Sequence, residues 1–225
     1  MVTLGVNQDL AISGRPTGRM KAKRFAFIGG FACLDFLNTA SLGKPAGVET
    51  LRDFDDFLDW LSEARVIGAR DRRGVLRCWD RGPEAQRVLA RAFVLRKSLQ
   101  AMSEGIRVHR AVPRSTIATI RDVLATMAGA WNLTTAKTGF ALKFRLRFDN
   151  PEHLLGPIAQ SACDLLCNRD WSRLKRCANP ACGLYFYGST GNRRRRSCSI
   201  ETCDNRMKVA AYRARQRAAR SSPIR

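Results

Sequence analysis

The chain is short of acidic residues: its 225 residues include 19 Asp and Glu against 40 Lys and Arg, which leaves a formal net charge of +21. Disorder throughout is excluded, because 45% of the residues are hydrophobic and 8% are aromatic, which is enough apolar surface for a core. A positive excess of this size indicates a polyanionic partner such as nucleic acid or an anionic membrane.

Long apolar runs are also missing, and no segment approaches the ~20 consecutive apolar residues of a membrane span. Lys21, Lys23 and Arg24 precede an apolar run at 25–34 that imitates a signal peptide. That run begins well inside the chain and leads directly into Asp35, without a small-residue cleavage site. We therefore expect a cytoplasmic protein with no membrane partner.

Histidine is scarce, with two in the whole chain, His109 and His153. Neither lies in a pattern typical of a catalytic nucleophile or a metal site, and there is no glycine-rich phosphate loop. The expectation is therefore a protein that is not an enzyme. Asp35, Asn38 and Thr39 are polar residues in apolar surroundings, which either line a ligand pocket or cap the next element and satisfy buried backbone.

The charge is uneven along the chain and predicts three regions. Residues 1–24 form a disordered basic tail without periodicity, and residues 25–170 carry most of the apolar residues. Residues 171–225 contain 14 basic and 2 acidic residues, a net charge of +12, together with four of the eight cysteines. We expect this last region to be a separate functional module with its own core.

The apolar spacing of residues 25–170 predicts an α+β fold that is mainly helical, with a small antiparallel β-sheet. Thr50 or Asp53 caps one helix, and residues 65–82 connect elements through at most one helical turn. Residues 140–148 alternate between apolar and mostly basic side chains, as a half-buried strand does, and residues 132–135 supply its hairpin partner. Further helices are predicted at 83–105, 113–128 and 150–169.

Four cysteines of the last region have the spacing of a metal site: Cys177 and Cys182 enclose four residues, fifteen follow, and Cys198 and Cys203 again enclose four. Two such pairs can place four thiolates around one tetrahedral zinc ion. The alternatives are two disulfides or unrelated buried cysteines, which a reducing cytosol and the close pairing disfavour. A closed four-cysteine site has no open position for substrate water, so we predict one structural zinc ion per chain within a treble-clef-like module.

The same region is rich in arginine and predicts a surface for phosphates. A helix from about residue 205 would carry basic residues on two opposite sides and could touch both walls of a groove. The candidate nucleic-acid-binding residues are Arg193, Arg194, Arg195, Arg196, Arg206, Lys208, Tyr212, Arg213, Arg215 and Arg217.

On these residues the chain resembles the CGNR zinc-finger family of bacterial proteins, whose N-terminal part is the ABATE domain and whose members are described as candidate stress-induced transcription regulators. The stretch GG...CLDFLNT at 29–39 is similar to the start of the ABATE domain, and the four cysteines fall on those of the zinc finger. Three residues depart from the pattern: Asp204 replaces the Gly of the family's name, Gly188 an Asp and Ser197 a Trp. We expect Asp204 to cap the following helix in place of that Gly.

The leading hypothesis is therefore a DNA-binding transcription regulator, in which the zinc module holds DNA and residues 25–170 sense a small-molecule effector or form a homodimer. An RNA- or ribosome-associated protein is the alternative, with Tyr185, Tyr187 and Tyr212 as stacking groups. A small-molecule enzyme around Asp35 and Asn38 is the third hypothesis.

Overall fold

The computed structural model of the protein describes residues 24–40, 49–79, 82–136, 139–188 and 195–221. Nearly all of the predicted basic tail lies outside these ranges, and so do Arg193 and Arg194 of the predicted phosphate-binding set.

The first part of the described chain is mainly helical, as predicted. Asp53 caps the second helix, since its side chain accepts a hydrogen bond from the backbone N–H of Asp56. Pro83 opens the fourth, and Asn150 caps a 3₁₀ turn at Pro151–Leu155 that leads into the sixth. The helices are α1 (Ala32–Leu37), α2 (Phe54–Glu63), α3 (Ala69–Trp79), α4 (Pro83–Arg107), α5 (Arg114–Ala125) and α6 (Gly156–Asn168).

Helix α3 corrects the prediction of a connecting segment at 65–82. Of its eleven residues only Val75 is buried, so the apolar spacing is too sparse to reveal a helix. Polar contacts join it to α2 instead, since the guanidinium of Arg72 lies 2.6 Å from a carboxylate oxygen of Asp55 and 2.7 Å from one of Asp59.

The predicted hairpin is present as β1 (Gly129–Thr135) and β2 (Phe140–Leu146), an antiparallel pair in which Leu133 faces Leu142. The expected half-burial is right at Phe144, Leu146 and Phe148, which are partly buried, and wrong at Phe140 and Leu142. Trp131, Leu133, Phe140 and Leu142 all lie exposed, because no helix of the described chain covers their side of the hairpin.

The core surrounds α1, which packs against α4 and α6. Its aromatic centre is the ring of Phe36, with the rings of Trp60 and Phe57 at centroid distances of 5.0 and 5.9 Å. All three rings are fully buried, and together they fix the position of the segment that precedes the polar residues Asn38 and Thr39.

The last part contains strands β3 (Leu174–Arg176) and β4 (Tyr185–Tyr187), a π-helical turn at Ile200–Asp204 and helix α7 (Asn205–Ser221). The four cysteines share a small core with Phe186, but Leu174 and Tyr185 are buried in the larger helical core. The expectation of two separate cores is therefore wrong at β3 and β4. None of the described helices combines the length and the apolar character needed to cross a membrane.

Candidate metal centre and nucleic-acid interface

The four predicted cysteines converge. Their Sγ atoms all lie within 4.8 Å of one another, and all four residues are buried. Cys198 Sγ is 3.5 Å from both Cys182 Sγ and Cys203 Sγ. Sulfurs at the zinc–sulfur bond length of about 2.3 Å stand roughly 3.8 Å apart at the corners of a tetrahedron, so the spacing fits one zinc ion.

The first cysteine pair is held by a tight backbone turn. The N–H of Cys177 donates to the carbonyl of Leu184 at 2.8 Å, and the N–H of Cys182 donates to the carbonyl of Asn179 at 2.9 Å. Gly183 follows with a φ of +70°, a left-handed conformation that glycine adopts without strain. This turn directs both sulfurs to the same point.

The protonation of the thiols shows why this donor set suits a divalent cation. The hydrogen bond from Cys198 lowers the pKa of Cys182 to about 5, and the same contact raises the pKa of Cys198. Burial raises the pKa of Cys203. Four buried thiolates cannot coexist without a positive charge among them, and a metal ion supplies it. The chain therefore carries one zinc ion at this centre, and a closed set of four thiolates makes it structural.

The second cysteine pair passes directly into α7. The π-helical turn carries Cys203, and the backbone N–H of Asp204 donates to the carbonyl of Ser199 at 3.0 Å. Helix α7 starts at the next residue, so the metal centre fixes the N-terminal end of this helix.

Arg195 was predicted to bind nucleic acid, but its side chain makes contacts within the zinc module. Its guanidinium stacks over the buried ring of Phe186 with its carbon 4.7 Å from the ring centroid, and it donates to the backbone carbonyls of Ser197 and Cys198. These contacts direct the side chain into the zinc module, where it supports the second cysteine pair. Arg196 is exposed, and it forms no ion pair within the part of the chain that the structure describes.

A groove of about 920 Å³ runs along the junction between the helical part and the zinc module. Its basic residues come from both sides: Arg107 from the end of α4, Lys175 and Arg176 from β3, and Arg195 and Arg196 from the segment before Cys198. Arg107 is paired with Glu104, and Lys175 Nζ lies 3.1 Å from the carbonyl oxygen of Arg195. Arg176 and Arg196 are therefore the two best placed to meet a phosphate in this groove.

Helix α7 presents the remaining predicted residues. Arg206, Tyr212, Arg213, Arg215 and Arg217 are all exposed, and among the described elements the helix packs mainly against the π-helical turn that precedes it. Arg206, Arg213 and Arg217 share one side, and Arg215 lies opposite with Tyr212. The helix thus projects from the metal centre with basic groups on two sides.

The departures from the family pattern have distinct surroundings. The carboxylate of Asp204 lies 2.9 Å from Lys208 Nζ, one helical turn further along α7. Asp204 therefore forms an ion pair instead of the predicted cap. The ion pair engages Lys208, which was predicted to contact a phosphate. Ser197 is buried, and a Cβ at Gly188 would meet only ordinary contacts at 3.6 Å and beyond.

The candidate ligand-binding residues Asp35, Asn38 and Thr39 are engaged by the chain itself. The Asp35 carboxylate accepts a hydrogen bond from the N–H of Gly29 at 2.7 Å, and Thr39 Oγ1 donates to the carbonyl of Phe36 and accepts from Arg96. Burial raises the pKa of Asp35 to about 7. A Cβ at Gly29 would stand 2.7 Å from that of Leu34, so this close approach requires glycine.

Asn38 connects the two parts of the chain. Its amide donates to the carbonyl of Tyr185 and accepts from the N–H of Tyr185, both at 2.8 Å, and the Tyr185 hydroxyl donates to Glu104 on α4 at 2.8 Å. Arg107 and this hydroxyl lower the pKa of Glu104 to about 2. Sequence reasoning missed Glu104, Arg107 and Arg176. They come together only because β4 docks beside α1, and no periodic pattern in the sequence predicts that contact.

These features define a class: a helical domain joined to a small module built on a structural four-cysteine zinc site. Residues 30–169 match the ABATE family, described as "Putative stress-induced transcription regulator", and residues 173–216 match the CGNR zinc finger. The ABATE match spans more than half of the chain, which therefore belongs to this family, and the resemblance inferred from the sequence is confirmed. A search of individual curated proteins finds no significant match.

Proposed function

We propose that the protein is a zinc-containing transcription regulator that binds DNA through α7 and the basic groove. Exposed α7 carries this proposal, because a helix with basic groups on two sides can lie in the major groove and reach phosphates of both strands. In this arrangement the zinc ion sets the direction in which α7 leaves the module.

The groove at the junction would receive the DNA backbone. Arg176 and Arg196 act there as phosphate contacts, and Arg206 and Arg213 on α7 are the candidates for reading base edges. Arg193 and Arg194 belong to the same proposed surface by sequence. Residues 25–170 would form the domain that senses an effector or dimerises, and residues 171–225 the DNA-binding module.

The RNA hypothesis depended on three tyrosines as stacking groups. Tyr185 is buried, and the ring of Tyr187 is half-buried against Phe31, with centroids 5.1 Å apart. Tyr212 is exposed, but a single ring makes a poor platform for successive bases. These positions favour duplex DNA as the partner.

The enzyme hypothesis needed a pocket around Asp35 and Asn38. Hydrogen bonds within the chain already engage both side chains. Asp35 binds the N–H of Gly29, and Asn38, at the end of α1, binds Tyr185 of the zinc module. A structural role accounts for the two residues without a substrate.

The proposal is tested by selecting bound sequences from a random duplex pool with the zinc-loaded full chain. About six phosphate contacts predict a slope of log K against log salt near −5. Arg213→Ala should weaken binding to the selected sequence ~5- to 150-fold and to random duplex much less, whereas Arg121→Ala, at an exposed position of α5, serves as the control. Weak duplex binding that is insensitive to salt, with tight binding to competitor RNA, would overturn the proposal.

A further inference from the structure

The β1–β2 hairpin carries an apolar face that the described chain leaves in solvent. The antiparallel register pairs Trp131 with Phe144, Leu133 with Leu142 and Thr135 with Phe140, and because side chains alternate along a strand all six lie on one face. Trp131 is 56% exposed, Leu133 65%, Phe140 74% and Leu142 59%. No charged residue belongs to this face.

The hairpin stands apart from the helical part. Among the described elements, β1 and β2 make their main contacts with each other, and the ring of Trp131 packs edge-on against that of Phe144 at 5.3 Å. An isolated two-stranded hairpin is marginally stable in water, and a second layer against its apolar face stabilises it. A face of this kind marks an interaction site.

We propose that the partner is a second copy of this chain, whose hairpin packs face to face with the first about a two-fold axis. The order of side chains along the face makes it self-complementary: an aromatic pair at one end, two leucines in the middle and the Phe140 ring at the other end. A two-fold axis that lies midway between the two faces, perpendicular to the strands and level with the Leu133–Leu142 pair, places Phe140 of each copy against Trp131 and Phe144 of the other. Two sheets pack this way at a spacing of about 10 Å.

The charge distribution directs the contact to this face. A net charge of +21 makes two copies repel each other, and the repulsion is least where a surface has no basic groups. Arg145 alternates onto the opposite face of the hairpin and is exposed there. Face-to-face pairing therefore keeps this cation in solvent.

The exposed area is sufficient for a weak dimer. From the exposed fractions and the size of these side chains, the four residues offer roughly 500 Å² per copy, or roughly 1,000 Å² for the pair. That total lies at the lower limit for a specific interface, so we expect a weak dimer that dissociates on dilution.

Sedimentation equilibrium of the zinc-loaded full chain, treated with nuclease to remove bridging nucleic acid, tests the proposal. We expect a monomer–dimer equilibrium that Leu133→Lys and Leu142→Lys each weaken by tenfold or more. Thr134→Lys, on the opposite face of β1 and across from Ala141, adds the same charge and should leave the equilibrium within about twofold of the parent chain. Unchanged far-ultraviolet circular dichroism and zinc content establish that each variant is folded.

A parent chain that stays monomeric at a concentration of several hundred micromolar would overturn the proposal, and so would equal weakening by all three lysine variants. The measurement needs no DNA, so its outcome is independent of the proposed DNA-binding function.

Discussion

The side-chain amide of Asn38 pairs with the backbone of Tyr185 as a neighbouring strand would, through one donated and one accepted hydrogen bond of 2.8 Å each. Next to it, the N–H of Tyr187 donates to the carbonyl of Gly29 at 2.8 Å. Strand β4 of the zinc module therefore has the helical domain as its second neighbour. This contact couples the stability of the metal centre to that of the helical core.

Asn38→Ala should expose that coupling. The substitution leaves a buried N–H and a buried carbonyl of Tyr185 without partners, which costs roughly 2–4 kcal/mol of unfolding free energy. We expect a lower urea midpoint and faster transfer of zinc to a chelator. Asn168→Ala, which removes an exposed contact with Asp164, should change neither.

Cys198→Ser should remove most of the zinc, because the remaining three thiolates bind it far less tightly. We expect the helices of residues 30–169 to persist in circular dichroism, but at a lower melting temperature, since Leu174 and Tyr185 lose their fixed place in the helical core. Elemental analysis of the purified variant measures the metal. Undiminished zinc would contradict the assignment of this cysteine, and Cys78→Ser, at an exposed position, is the control.

Asp35 should make stability fall as the pH rises. Its pKa is about 7 in the folded chain against 3.8 for an ordinary Asp, so the folded state binds the proton more tightly than the unfolded state. The contribution of Asp35 to the free energy of unfolding is complete below about pH 4 and is lost as the pH rises through 7. The loss amounts to at most about 4 kcal/mol.

Asp35→Asn keeps an oxygen for the Gly29 N–H and removes the titration. In urea unfolding between pH 5 and 8, the free energy of unfolding of the variant should increase relative to that of the parent chain as the pH rises. A constant difference across that range would show that Asp35 does not titrate there. Comparison at each pH cancels the pH dependence of zinc binding, which both chains share.

Arg195 and Arg196 are neighbours with different predicted roles. Arg196→Ala should reduce the slope of log K for DNA against log salt by about 0.9 and leave the zinc centre intact. Arg195→Ala should speed zinc loss, because Phe186 and the carbonyls of Ser197 and Cys198 lose their partner. If the transfer of zinc to a chelator became faster only in the Arg196 variant, the two roles would be reversed.

Asp204→Asn should strengthen DNA binding. Removing this carboxylate releases Lys208 from its ion pair and takes a negative charge from the start of α7. We expect a slope steeper by about 0.9 and an affinity several-fold higher at low salt. Asp122→Asn, at an exposed position of α5, changes the net charge equally and should have little effect, so equal gains in both variants would attribute the result to net charge alone.

The sequence was sufficient for features that depend on local chemistry. The cysteine spacing predicted the metal cluster, and the caps and apolar spacing located α2, α4 and α5. Helix α3 was missed, because ion pairs of Arg72 with α2 replace most of the apolar contacts that the periodicity would have revealed.

Features that depend on distant parts of the chain could not be predicted. The alternation in β2 has the same appearance whether a core or only solvent lies beside it, so it could not show that Phe140 and Leu142 are exposed while Phe144 and Leu146 are partly buried. Arg195 lies in a run of four arginines, and only the folded chain shows that Phe186 lies beneath it. Asn38 likewise gave no indication of a partner 147 residues away.

That separation bears on how the protein is made. At about 5–20 residues per second, the ribosome needs roughly 7–30 seconds after Asn38 to reach Tyr185. During this interval the nascent chain can bury α1 among its helices, but the side of α1 that receives β4 stays uncovered. The zinc module therefore closes the fold late in synthesis. Chains released before residue 185 would expose this side of α1, which makes them substrates for chaperones and proteases.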